Sequence, residues 1–167
     1  MLDNATGPVT NLALQKLLYF AHGLYLRETR KPLVSGYFEA WKFGPVHPTA
    51  YASFKVAGDR PIDFRAESVD AFTGQRTAIS LPADKTVRDL VVRVMNSYGR
   101  MSAGLLVNIS HAAGAPWDVV VDQGTNGVSF GMRIPDSVIL ERFGRHKVSV
   151  GDPASDGDPG EDTPFNS

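Results

Sequence analysis

Residues 10–32 read TNLALQKLLYFAHGLYLRETRKP, and this stretch decides what kind of fold the chain can adopt. Leu14, Leu17, Leu18, Ala21, Leu24 and Tyr25 recur at i, i+3, i+4 and i+7, which predicts an amphipathic helix capped by Thr10 or Asn11. Arg27, Arg30 and Lys31 suit the negative end of the helix dipole, and Pro32 cannot continue the helix. Leu14, Leu17, Leu18 and Ala21 are its predicted core face.

Working outward, residues 37–43 (YFEAWKF) alternate so that Tyr37, Glu39, Trp41 and Phe43 share one side of an extended strand, which Gly44-Pro45 ends. Pro45 and Pro48 are tolerated at the approach to a short helix running to about Ala57. Ile62/Phe64/Ala66 and Thr77/Ile79/Leu81 alternate on either side of Thr73-Gly74-Gln75, which predicts a hairpin. Asp84 then caps a helix with Val87, Leu90, Val91, Val94 and Tyr98 on one face, ended by Gly99. Ser102 caps another, burying Leu105, Leu106 and Ile109 and stopping at Gly114-Ala115-Pro116. The short connection predicts that these two helices pack as neighbours. Val128, Phe130, Met132 and Ile134 alternate as a strand, and Pro135-Asp136 opens a last helix to Gly144. The predicted class is α+β, mainly α-helical, with five to six helices around a small, mostly antiparallel sheet.

A length of 167 residues with 43% hydrophobic side chains can close one core unaided. There is no cysteine, so disulfides and cysteine metal sites are excluded and a reducing compartment fits. No basic leader precedes an apolar run and no stretch approaches the ~18 apolar residues of a membrane span, so the expectation is a cytoplasmic protein without membrane contact. The formal net charge of −1 is unevenly spread. Asp152, Asp156, Asp158, Glu161 and Asp162 lie where there is no Lys or Arg, leaving 17 basic against 13 acidic residues in 1–150. That excess is too small to point to nucleic acid. The segment 151–167 interleaves Gly, Pro, Ser and Asp, with Phe165 its only large apolar residue, and is predicted to be a disordered acidic tail following a domain at 1–150.

The four histidines, His22, His47, His111 and His146, include no i, i+4 pair of the kind zinc helices use, so no metal is expected. No Gly-x-Ser-x-Gly elbow, P-loop or Gly-x-Gly-x-x-Gly fingerprint occurs. Ser110 and His111 are adjacent, and neighbours on a helix point about 100° apart, which argues against a nucleophile–base pair. His111 sits where a helix ends, so its imidazole can serve the terminal carbonyls, or alternatively a partner. Trp41 and Trp117 are each readable as core or as interface anchors. Arg142, Arg145, His146 and Lys147 gather before the tail, a solvated helix end or a contact for an acidic partner.

Four segments together resemble one family. Leu12-Ala13-Leu14-Gln15-Lys16-Leu17-Leu18-Tyr19-Phe20-Ala21 is similar to its opening helix, and Ala40-Trp41-Lys42-Phe43-Gly44-Pro45-Val46 to its strand and turn. Ser110-His111-Ala112-Ala113-Gly114-Ala115-Pro116-Trp117 resembles its Ser/Thr-His-x-x-Gly-x-Pro-Trp signature, and Ile134-Pro135-Asp136 the start of its last helix. The family is the Panacea domain of bacterial toxin–antitoxin systems, the SocA-like antitoxins, and the likeness spans roughly residues 8 to 145. Ala112-Ala113 departs from relatives that carry polar or acidic residues there, and the acidic tail replaces a further domain, leaving no helix-turn-helix. The resemblance implies a protein that binds a cognate protein toxin and keeps it harmless by direct contact. It also implies a proteolytic adaptor that delivers the toxin to a AAA+ protease such as ClpXP. No catalytic residue, cofactor or small-molecule substrate is expected. The candidate partner-binding residues are Tyr37, Trp41, Lys42, Phe43, His47 and His111; the strand can turn Phe38 and Lys42 to an open side with Trp41 inward, or offer its edge to a second chain, with core packing of the whole strand as the rival. The alternatives are a hydrolase or transferase using His111 with Tyr19, Lys42 or Asp118, and a DNA-binding repressor using the basic residues of the last helices.

Overall fold

The computed structural model describes residues 1–125 and 131–146. After a 3₁₀ turn at Leu2–Asn4, helix α1 spans Asn11–Thr29, its N-terminus capped by the Thr10 hydroxyl, which accepts from the Ala13 N–H. Arg30 closes it in the left-handed region at φ 61°. Strands β1 (Phe38–Trp41) and β2 (Gly44–Val46) follow, then α2 (Pro48–Phe54) with a 3₁₀ turn to Ala57, and a hairpin of β3 (Glu67–Val69) and β4 (Arg76–Ala78). Helices α3 (Lys85–Tyr98), α4 (Ala103–Ser110) and α5 (Pro116–Thr125), strand β5 (Arg133–Ile134) and helix α6 (Asp136–Arg142) complete the order. The chain is α+β and mainly helical, as the sequence predicts, and its described residues form two small antiparallel sheets where one was expected.

Helix α1 is the axis of the fold. The one-sided helix expected from the Leu spacing is instead buried nearly all round, because α2, α3, α4, α6 and β2 pack against it from several directions. Tyr19, Phe20, Leu17 and Ala21 are in the core, whereas Leu18, read as a core residue, is only half-buried at the lip of a cleft. The burial encloses polar side chains too. Gln15 donates from Nε2 to Asn11 Oδ1 at 3.1 Å and accepts at Oε1 from the His47 N–H at 3.1 Å. Hydrogen bonding of this kind is what makes buried polar groups tolerable.

In the three-stranded sheet the order is β2-β1-β5, all antiparallel. Trp41 pairs with Gly44, so Lys42 and Phe43 form a two-residue turn and are not the end of a strand. Alternation therefore stops at Trp41, and the expected strand to Phe43 is cut short. Phe38, expected on an open side, is fully buried between the rings of Tyr19, His22 and His47. Being central, β1 has β2 on one edge and β5 on the other, so it has no edge to offer a second chain.

The hairpin turn falls at Thr73-Gly74-Gln75 as predicted, with its strands nearer the turn than expected. Asp84 and Ser102 cap α3 and α4 through their side chains. The two helices pack chiefly on α1, more than on each other as neighbours. Helix α5 was not predicted, since Gly114 and Pro116 read as an ending; Pro116 is in fact its first residue, a position where the missing N–H costs nothing. Of the predicted strand 128–134, residues 128–130 lie outside the described residues, as does the acidic tail.

Candidate functional site

Three segments far apart in the chain meet where α1, the β1–β2 turn and the end of α4 touch. Lys16 is fully buried and donates from Nζ to the Pro45 carbonyl oxygen at 3.1 Å. Gly44 takes φ 97°, and a side chain there would run into Ser110 Oγ and the end of Lys16. Glycine is thus required both for its backbone and for the close approach. Ser110 is buried and donates to the Val107 carbonyl oxygen within its own helix, 2.7 Å away.

The outer layer of this junction is aromatic. His111 ends α4, and its ring stacks on Trp117 with centroids 3.7 Å apart at 12°. Trp117 Nε1 donates to the Trp41 carbonyl oxygen at 2.8 Å, and Asp118 accepts from the Gly114 N–H at 2.8 Å. His111 Nε2 is buried without a hydrogen-bond partner among the described residues. Its pKa is pushed down to about 4, by burial first and by the nearby Lys16 second, with Asp118 opposing. The imidazole is neutral at pH 7.

The six candidate residues divide by depth. Trp41 is 6% exposed, donates from Nε1 to Glu39 Oε2 at 2.7 Å and meets Tyr51 edge-on at 4.8 Å. His47, equally buried, caps α2: its Nδ1 accepts from the Ala50 N–H while Nε2 donates to the Ser35 carbonyl oxygen at 2.7 Å, which fixes the tautomer. Lys42 is exposed with its ammonium 5.1 Å from the Phe43 ring centroid, and Phe43 is half-buried. Tyr37 is 36% exposed, and the Arg133 guanidinium lies 3.9 Å above its ring. Tyr37, Lys42, Phe43 and, in part, His111 therefore reach solvent, while Trp41 and His47 are buried. Sequence reasoning gave no role to Lys16, which sits in the opening motif, or to Arg133, whose partner is 96 positions away; only the first had a signal, a lysine amid leucines.

Of the residues considered for hydrolysis with His111, Tyr19 is engaged elsewhere. Tyr19 is fully buried, its hydroxyl 3.5 Å from His146 Nε2, and burial raises its pKa well above the usual value. His146 turns its ring toward Tyr19, Phe20 and Phe143 and donates from Nδ1 to the Phe143 carbonyl oxygen at 2.7 Å, so it does not join a solvated basic cluster. Burial pushes its pKa down to about 4. His22, 2% exposed, faces Asp136 Oδ1 at 3.1 Å, and burial lowers its pKa despite that carboxylate. Among the described residues no group of three His, Cys, Asp or Glu could hold a metal ion, and no helix is long and apolar enough to cross a membrane.

The family described as antitoxin SocA-like, Panacea domain, matches residues 14–118, well over half of the chain. The chain belongs to this family. The matched span of the Panacea domain contains Lys16, the β1–β2 turn, Ser110, His111 and Trp117, so the junction is built from family segments. The antitoxin SocA of Caulobacter vibrioides (strain NA1000 / CB15N) is 47% identical over 167 residues, covering 98% of this chain and 89% of that protein. No solved structure matches the chain.

Proposed function

We propose that this Panacea-domain chain is an antitoxin that neutralises a cognate protein toxin by direct contact, through the outer face of the motif junction. The observation that carries the reading is its 47% identity, over nearly the whole chain, with a protein named as an antitoxin. The geometry supports the choice of face. Lys42 and Phe43 stand on a two-residue turn whose base is held by Gly44, Lys16 and Ser110, so they are presented rigidly and at low entropic cost to a partner. His111 on Trp117, which bonds the Trp41 carbonyl, adds aromatic groups beside that turn, and Tyr37 with Arg133 lies at the other end of β1; aromatic and cationic groups of this kind dominate interface energetics. Trp41 and His47 act indirectly, by keeping the turn and α2 in place. Delivery of the bound toxin to a AAA+ protease such as ClpXP is the second half of the proposal, with the acidic residues 151–167 outside the toxin contact.

The test pairs two substitutions. Lys42→Glu is expected to weaken toxin binding tenfold or more with a stability change within about ±0.5 kcal/mol, as for an exposed side chain. Trp41→Ala is expected to cost roughly 3–5 kcal/mol of stability, the range for deleting a buried large aromatic. Titration calorimetry against the toxin encoded beside this chain, with denaturant unfolding of both variants, separates them; full-strength binding by folded Lys42→Glu would remove this face from the interface. Deleting 151–167 is expected to leave stability and toxin affinity unchanged. If the toxin's half-life in the presence of ClpXP lengthens in that variant, the delivery step needs the tail.

A further inference from the structure

Beside α2 the chain carries an apolar projection and an apolar cleft. The β3–β4 hairpin exposes every residue of both strands, and Phe72 at its tip is 99% exposed. The tip is held in shape: Asp70 Oδ1 accepts from the Phe72 N–H at 3.0 Å, the Thr73 N–H at 2.7 Å and the Thr73 hydroxyl at 2.9 Å. Those bonds lower the Asp70 pKa, so its charge is committed to the turn. Val69, Ile79 and Leu81 add exposed apolar surface along the same arm. A patch of this kind marks an association surface, whereas a lone exposed Phe would not.

At the root of the arm lies a cleft of about 490 Å³, walled by Leu2, Leu14, Leu18, Val34, Phe54 and Leu81. Its size is that of pockets that take up small apolar groups, and a phenyl ring fits. The arm's own ring does not occupy it, since Phe72 is in solvent. Two ion pairs neutralise charge beside these features, Arg65 with Asp3 at the cleft and Arg76 with Glu67 at 3.5 Å on the hairpin, while Asp70 at the tip holds its charge within the turn. A surface that must meet its own twin needs this self-neutrality, because like charges would otherwise face each other across the two-fold axis.

We infer that the occupant of the cleft is Phe72 of a second copy of this chain, the two molecules exchanging hairpin arms about a two-fold axis. Knob and hole on one surface make the contact isologous and closed, so it stops at a dimer.

Sedimentation velocity on the full chain from 1 to 200 μM tests this. The wild type is expected to dimerise, and Phe72→Ser and Leu81→Asp each to weaken dimerisation by at least tenfold with unchanged melting curves, both positions being exposed. An equimolar mixture of the two variants is expected to recover part of the association, since one of the two knob-and-hole contacts is intact in the mixed pair. A photoreactive phenylalanine at position 72 is expected to cross-link to the 79–82 segment of an isotope-labelled second chain. The inference is overturned if the wild type is monomeric throughout, if the variants dimerise like the wild type, or if cross-links form only within one chain. Loss of toxin binding in Phe72→Ser, with a monomeric wild type, would also overturn it and give the arm to the toxin.

Discussion

His111 shows how one side chain can look functional and be explained by packing. Its signature position between Ser110 and Gly114 invited a chemical role, yet the ring lies flat on Trp117 at 3.7 Å and its Nε2 has no partner among the described residues. An unpaired buried nitrogen is a cost, and the stack is a gain of roughly 0.5–1.5 kcal/mol beyond area. His111→Phe keeps the stack and removes the orphan nitrogen, so its stability is expected to equal or exceed the wild type. His111→Ala loses the stack and is expected to cost about 1–2 kcal/mol. Denaturant unfolding of the two variants checks the order, and a Phe variant as unstable as Ala would show that the nitrogen has a partner in solution. The position of His111 at a helix end was readable from Gly114 and Pro116. Its partner was not, because Trp117 was taken to lie beyond all helices.

Among the elements, the caps were the most legible feature, since Thr10, Asp84 and Ser102 each bond an N–H two or three residues on, within reach of a local pattern. The surroundings of α1 were less so. Leu spacing describes one face, but the helix also presents Gly23 to the ring of Phe143, so closely that an added Cβ would overlap it. Gly23→Ala sets two effects against each other. Alanine gains about 1 kcal/mol of helix propensity over glycine. Overpacking against a ring already wedged between Tyr19 and His146 costs about 1–3 kcal/mol, and Phe143, itself buried in the core beside α1, cannot move away freely. The expected net effect is destabilisation, read as a lower denaturant midpoint with an unchanged slope; a higher midpoint would show that Phe143 swings aside. The strand at 37–43 was legible in its position and misread at its end, because alternation cannot reveal that Lys42 and Phe43 turn the chain.

The molecule as a whole carries a pH dependence set by its inward-facing histidines. In the fold His111 and His146 titrate near 4, while in the unfolded chain histidine titrates near 6.5. Between those values the unfolded state binds more protons, so stability present above pH 6.5 is lost as the pH falls toward 4, and these two groups contribute no further loss below that. Melting temperatures from pH 7.5 to 4.5 are expected to fall most steeply below pH 6.5, and His146→Phe is expected to flatten the slope. An identical slope in that variant would place the dependence elsewhere. Local order along the chain sufficed for the capped helices, the class of fold and the family, because caps, turns and motif order depend on residues a few positions apart. Other features required the chain to close on itself. Lys16 is buried beneath the Gly44 turn, His22 meets Asp136 across 114 positions, and Tyr19 meets His146 across 127. Burial of a polar group is set by what arrives around it, and no periodicity within one segment encodes the arrival of another.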